Sequence, residues 1–294
     1  MSVIMNPITA TDQILQQLDS ITRVWPALEE AALLRKVILP ISVNAGHALT
    51  RQISMTKEEA CIRMEAGLPL LHGVEPELDI EAVRSLMIQL SKAAEGISPE
   101  SASRIRHSLE NESLDIASLL SGIISGEEDA AVVAAQSAQL DPGLLPVLAG
   151  QALRPSFHEC RRQLASVAEG ISWNEGYCFI CGSYAVFGEL RSGVQEKHLR
   201  CWRCGADWRF HRLQCSYCAN DDYRKLRFIY SGGQPERIHA EICDECGMYL
   251  KIIVSASSTP YEMMEVEDLA TLNVDYELKE RGYARPSSFH RKGV

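Results

Sequence analysis

Four Cys-x-x-Cys pairs fall within 69 residues: Cys178/Cys181, Cys201/Cys204, Cys215/Cys218 and Cys243/Cys246. They hold eight of the ten cysteines in this 294-residue chain. Two thiolates three positions apart grip one side of a tetrahedral metal ion, and two such pairs complete an all-sulfur shell. Eight thiolates therefore predict two closed metal centres. The spacing is C-x2-C-x19-C-x2-C for the first four cysteines and C-x2-C-x24-C-x2-C for the last four. Sequential pairing is the expected connectivity, with Cys178, Cys181, Cys201 and Cys204 on one ion and Cys215, Cys218, Cys243 and Cys246 on the other. A cross-brace, joining the first and third pairs, is the alternative. Gly182, Gly205 and Gly247 follow three of the four pairs, and Ala219 follows the remaining one. Glycine there suits the positive φ that such a knuckle turn often needs.

A shell of four thiolates leaves no open position for water or substrate, so the ions are expected to staple small modules rather than catalyse. Metal binding then supplies about 10 kcal/mol or more of folding free energy. Sulfur-only sites accept zinc or iron, and ligand spacing does not separate them. Cys61 and Cys160 stand apart, and Cys160 falls on the apolar face of an expected helix. No phosphate-binding glycine loop, nucleophile elbow or His-Glu-x-x-His helix occurs, and no catalytic acid/base pair is visible.

The elements that must position these cysteines follow from periodicity. Short β-prone runs alternate with the Cys pairs from about residue 171. Ala185 to Leu190 and Glu196 to Leu199 flank a hairpin turn at Arg191-Ser192-Gly193. Asp207 to Leu213 alternates. Leu226 to Tyr230 and Arg237 to Ile242 flank a second turn at Ser231-Gly232-Gly233, and Tyr249 to Val254 adds a strand. Residues 1–170 read instead as helices. Ile80, Val83, Leu86, Met87 and Leu90 form one amphipathic stripe. Ser98-Pro99-Glu100 reads as a helix start. Leu114, Leu119, Leu120, Ile123 and Ile124 end at Gly126. Asp141-Pro142 opens a further helix that Pro155 should break. The tail from Tyr261 is acidic and partly helical. The fold class expected is a multidomain α+β protein, with an N-terminal α-helical domain over 1–170 and two rubredoxin-like or zinc-ribbon four-cysteine modules over 171–212 and 213–294.

Composition narrows the setting. With 46% apolar and 23% charged residues the chain reads as an ordinary globular protein. No run approaches the ~20 apolar residues of a membrane span. The start, MSVIMNPITATDQILQQLD, lacks a basic region followed by a long apolar core, so a cytoplasmic location with reduced thiols is expected. The net charge is -10, yet residues 190–230 hold nine Lys/Arg against four Asp/Glu. That locally basic stretch could face an acidic partner surface.

The residues also carry a resemblance. Cys178-Phe-Ile-Cys181-Gly182-Ser183, Leu199-Arg-Cys201-Trp-Arg-Cys204 leading into Asp207-Trp208, Cys215-Ser216-Tyr217-Cys218, and Ile242-Cys243-Asp-Glu-Cys246-Gly247-Met248-Tyr249-Leu250-Lys251 are similar to the formate dehydrogenase accessory protein FdhE family. Glu267 to Leu272 and Gly282-Tyr283-Ala284-Arg285 resemble its C-terminal signature. Met248 stands where the family usually has threonine. The resemblance implies a helical domain followed by two rubredoxin-like modules, iron in preference to zinc, and a cytoplasmic, non-enzymatic maturation protein. It implies contact with the catalytic subunit of formate dehydrogenase before export. The eight cysteines carry over as metal ligands, and no catalytic residue does. Arg200, Arg203, Arg209, Arg212, Asp268 and Asp275 are the expected partner-binding set. No nucleic acid is expected, and a homodimer is allowed. The alternatives are a zinc-ribbon nucleic-acid-binding protein and a rubredoxin-like electron carrier.

Overall fold

The computed structural model describes residues 7–127, 129–191, 196–230 and 237–286. Its described helices are α1 Pro7–Val24, α2 Glu29–Asn44, α3 Lys57–Glu65, α4 Ile80–Ala94, α5 Pro99–Glu110, α6 Ile116–Ser125, α7 Ala130–Ser137, α8 Leu144–Ala168, α9 Tyr261–Ala270 and α10 Leu272–Glu280. The strands are β1 Ala185–Arg191, β2 Glu196–Cys201, β3 Asp207–Phe210, β4 Leu226–Ile229, β5 Ile238–Cys243 and β6 Met248–Ser255. Both expected hairpin turns, from Ser192 and from Ser231, lie outside the described residues.

The chain forms two compact units that interleave in sequence. One comprises residues 1–50, 77–157 and 260–270, and the other 51–76, 158–259 and 271–294. They do not follow the serial division at 170 and 212. The helical unit takes in α9 from near the far end of the chain, and the reason is apolar burial. Val266 joins Ile14, Leu18, Ile21, Ala32 and Leu39 in one core cluster. Polar contacts add to it: Arg35 Nη1 forms an ion pair with Glu265 Oε2 at 2.8 Å, and Gln17 Nε2 donates a hydrogen bond to Glu267 Oε1 at 2.9 Å.

Side-chain caps mark the starts of α4 and α6. Asp79 accepts from the Glu81 and Ala82 amides ahead of α4, and Asp115 from the Ser118 amide ahead of α6. Gly126 closes α6 at φ +78°. Pro155, expected to interrupt the helix after Asp141, lies inside α8 instead. A proline takes away the hydrogen bond to the carbonyl four residues back. That carbonyl, on Gln151, is satisfied by the Ser42 hydroxyl at 2.7 Å.

The second unit is built on one six-stranded sheet, in the order β3-β2-β1-β6-β5-β4. Two separate hairpin modules were expected from sequence. Each hairpin does form, β1 antiparallel to β2 and β4 antiparallel to β5. The two halves then fuse because β1 and β6 pair in parallel, Phe187 opposite Lys251 through Arg191 opposite Ser255. Against this sheet Val274 and Leu278 of α10 pack on Ala240, Ile242 and Tyr249. Residues 51–76 join the same unit by backbone hydrogen bonds, Leu70 to the Phe179 carbonyl at 2.7 Å and Leu71 to that of Ile180 at 2.9 Å. Tyr177 completes the clamp, its hydroxyl donating to the Gly67 carbonyl at 2.7 Å.

Candidate metal centres

Each Cys-x-x-Cys pair closes a tight turn in which the amide after the second cysteine returns to the carbonyl of the first. The bonds are Gly182 to Cys178 at 2.8 Å, Gly205 to Cys201 at 3.1 Å, Ala219 to Cys215 at 3.1 Å and Gly247 to Cys243 at 2.9 Å. All four closing residues have positive φ: 76°, 72°, 58° and 70° in chain order. Amides inside the turns point at sulfur. Ile180 donates to Cys178 Sγ, Arg203 to Cys201 Sγ and Tyr217 to Cys215 Sγ, each at 3.4 Å. The strands then bring the turns together, since each quartet joins the knuckle before a hairpin to the knuckle at its far end.

The sulfurs gather in the sequential sets. Cys178, Cys181, Cys201 and Cys204 form one cluster, Cys215, Cys218, Cys243 and Cys246 the other, with the sulfurs of each within 4.8 Å of one another. Facing pairs lie at 3.5 Å in the first, Cys178 to Cys204 and Cys181 to Cys201. They lie at 3.7 Å in the second, Cys215 to Cys246 and Cys218 to Cys243. A tetrahedron with metal–sulfur bonds of about 2.3 Å has sulfurs about 3.8 Å apart. A disulfide would need about 2 Å. The spacing therefore fits an ion in each cluster, and the donor set suits zinc or iron equally.

The two clusters differ in surroundings. All four cysteines of the first are buried, whereas Cys218 and Cys246 of the second are half-exposed. Between its ligands the second knuckle of the first cluster carries Trp202 and Arg203, and Arg203 is buried. The matching positions of the second cluster are Asp244 and Glu245, which pair with Arg227 and Lys225. Without metal, burial drives the Cys178 and Cys204 thiols well up. Burial opposes the Cys181 thiolate too, but hydrogen bonds from the neighbouring thiols and the Arg203 charge outweigh it and bring Cys181 down. In the second cluster the Cys246 hydrogen bond lowers Cys215 to about 5, while burial raises Cys218 to about 11. In each cluster one thiolate is thus stabilised by protons on its neighbours, the protons a metal would displace.

The residues expected at a partner surface are scattered. Arg200 and Arg203 are 5% and 7% exposed, so they are interior groups and not a docking face. Arg200 Nη1 holds the buried Glu189 at 2.7 Å. Arg209 and Arg212 are exposed. Asp275 is occupied by Lys251 Nζ at 2.6 Å and the Tyr249 hydroxyl at 2.6 Å. Asp268 sits half-buried on α9 in the helical unit.

Sequence reasoning missed the buried charge ties of the sheet unit. Lys197 on β2 reaches Glu241 on β5, and Phe210 lies under its ammonium at 5.5 Å. Asp207 receives His198 Nδ1 at 2.6 Å and also pairs with Arg191. Glu189 receives the Thr259 amide at 2.6 Å. The only signal in the chain was a charged residue at an alternating inward position, which register alone decides. Cys160 is buried, and burial pushes its thiol up to about 12.

An α+β protein with a pair of saturated four-sulfur clusters is the class that fold and site define. Comparison with known proteins narrows it. Residues 213–289 match the family model described as "FdhE, C-terminal domain". Over 167 residues the chain is 34% identical to "Protein FdhE homolog" of Stutzerimonas stutzeri (strain A1501), covering 55% of this chain and 53% of that protein. It is 35% identical over 113 residues to "Protein FdhE" of Escherichia coli O127:H6, covering 38% of this chain and 36% of that protein. The matched stretch thus spans about half, or about a third, of these curated relatives. The crystal structure of the FdhE protein from Pseudomonas aeruginosa superposes with a TM-score of 0.59 at 20% identity, over 97% of this chain and 96% of that one. The likeness to the FdhE family is therefore one of sequence over part of the chain, including the match to the FdhE C-terminal domain at 213–289, and one of fold along nearly all of it.

Proposed function

We propose that this chain is an accessory protein for the formation of formate dehydrogenase. In this reading it acts without turnover of its own and contacts the catalytic subunit of the enzyme in the cytoplasm before export. The observation that carries the reading is the FdhE C-terminal domain match over a segment that supplies one complete four-cysteine cluster. Supporting it, both clusters are saturated by thiolates and leave no coordination position for a substrate. No described helix is long and apolar enough to cross a membrane.

Cys178, Cys181, Cys201 and Cys204 would hold one ion, and Cys215, Cys218, Cys243 and Cys246 the other. Iron is the ion we favour. It would supply one-electron chemistry at sites otherwise suited to stiffening the sheet. Elemental analysis and the visible spectrum of protein purified without oxygen separate the metals, since ferric tetrathiolate absorbs visibly and zinc does not. Two ions per chain are expected. The partner reading is tested by affinity capture of the formate dehydrogenase catalytic subunit from anaerobically grown cells. Absence of enrichment under reducing conditions would remove it.

A further inference from the structure

The two four-cysteine halves repeat the same three strands, and their registers correspond. Cys201 bonds Ala206 where β2 turns into β3, as Cys243 pairs with Met248 where β5 turns into β6, so β1, β2 and β3 answer to β4, β5 and β6, apart from a bulge between Ala185 and Phe187 that β4 lacks. In the sheet the free side of β1 is filled by β6, running parallel across five residue pairs. The corresponding side of β4 carries no strand among the described residues. Among the described residues there is thus one filled and one open copy of the same seat.

The open seat has the groups a strand would need. The Asp244 amide donates to the Lys225 carbonyl at 2.9 Å. In antiparallel pairing every second residue bonds the neighbour, so Arg227 and Ile229 face β5 while the backbone of Leu226 and Phe228 faces outward. Side chains beside this edge are exposed and apolar: Phe228 at 44%, Tyr230 at 60% and Leu213 at 61%. Leu213 and Phe228 line one shallow hollow with Arg212. At the filled seat the position matching Phe228 is Gly188, where an added Cβ would lie 2.4 Å from Ile252. There a bare backbone receives the large aliphatics of β6. At β4 the host supplies the bulk, so the incoming strand must be slim where β6 is broad.

We infer that the outer edge of β4 binds an extended segment of a partner polypeptide, added as a parallel strand whose small or aliphatic side chains lie over Phe228 and Tyr230. Main-chain hydrogen bonds give such a seat affinity, and alternate side chains give it selectivity. A second copy of this chain does not repeat the pairing of the filled seat. The matching donor strand, β3, stops at Phe210 and has no run equivalent to Lys251–Ser255. The inference deepens the accessory-protein reading and rests on it for the partner's identity, though not for the mode.

The test uses full-length, metal-loaded protein and a labelled eight-residue peptide that alternates Val and Ala with Ser and Lys. Saturable binding is expected by fluorescence anisotropy, together with slowed amide exchange at Leu226 and Phe228. Phe228→Pro removes the outward amide without touching the bonds to β5 and should weaken binding at least tenfold. Phe228→Thr keeps that amide and should weaken it less. Equal binding by wild type and Phe228→Pro overturns the inference, as does protection elsewhere on the protein. Concentration-dependent self-association lost in Phe228→Pro would assign the edge to a second copy and also overturn it. If the peptide binds as described but wild type captures no formate dehydrogenase catalytic subunit, the seat stands and the partner reading falls. If Phe228→Pro captures the subunit as well as wild type does, the partner reading stands and the seat is not its docking site.

Discussion

Ala219 occupies a turn position that glycine holds in the other three knuckles, and it adopts the same left-handed backbone, at φ +58°. An L-residue there pays about 1–2 kcal/mol against its Cβ. Ala219→Gly should therefore raise the unfolding free energy of zinc-loaded protein by about 1 kcal/mol, measured by denaturant titration. A second residue-scale effect comes from His239, which is buried against Phe228 and Tyr230. Burial, with the charges of Lys197 and Arg212, brings its imidazole down to about 4. The unfolded chain then binds the proton more readily than the folded one, so stability falls as pH drops from about 6.5 toward 4. His239→Phe should lose that component, on the order of 2 kcal/mol across the window. Comparing the two proteins at each pH cancels the acid sensitivity they share through the cysteines.

Among the elements, α8 is the clearest case of tertiary structure overruling a local rule. Its Pro155 should end a helix, but the Ser42 hydroxyl takes over the orphaned Gln151 carbonyl. Ser42→Ala should cost about 1–2 kcal/mol, since the carbonyl is left buried and unmet. In a Pro155→Ala background the restored amide can serve that carbonyl, so the same change should cost much less. A double-mutant cycle by thermal or chemical unfolding measures the difference. This case marks what the chain discloses by itself. The helix start at Ser98-Pro99-Glu100, the apolar stripe of α4, the end of α6 at Gly126 and all six strands were legible, because a first-turn proline and the helical and alternating periods are local signals. The cysteine sets were legible as well, since each quartet brackets one hairpin. The passage of α8 through Pro155 was not, because the compensating group lies 109 residues away. Nor was the β1–β6 joint, which pairs segments from opposite ends of the cysteine region; its mark on β1, Gly188 beneath Ile252, does not say which strand lies there. The partner surface was misread at Arg200 and Arg203 for the same cause: a count of positive charge does not say that two of the arginines are interior.

Across the whole molecule the two clusters should behave as unequal sites. The first is sealed, while Cys218 and Cys246 of the second reach solvent. Metal release to a colorimetric chelator should be biphasic, with one ion per chain in each phase. Cys246→Ser should eliminate the fast phase and Cys181→Ser the slow one. Both phases should quicken as pH falls, because protons compete for the thiolates. Removing both ions should loosen the sheet unit, seen as loss of strand signal in circular dichroism, since metal–sulfur bonds would no longer join the two facing knuckles of each cluster.

The interleaving of the two units also bears on how the polypeptide is made. Strand-by-strand reading from the first residue suggests a helical body completed early, yet Val266 and Glu265 belong to that body's interior and its ion pairs. During synthesis the helices must wait, with Leu18 and Leu39 incompletely covered, until the entire cysteine region has left the ribosome. A nascent chain halted near residue 170 would therefore present an unfinished apolar surface to chaperones, and tethering α9 back onto such a fragment should be what relieves it.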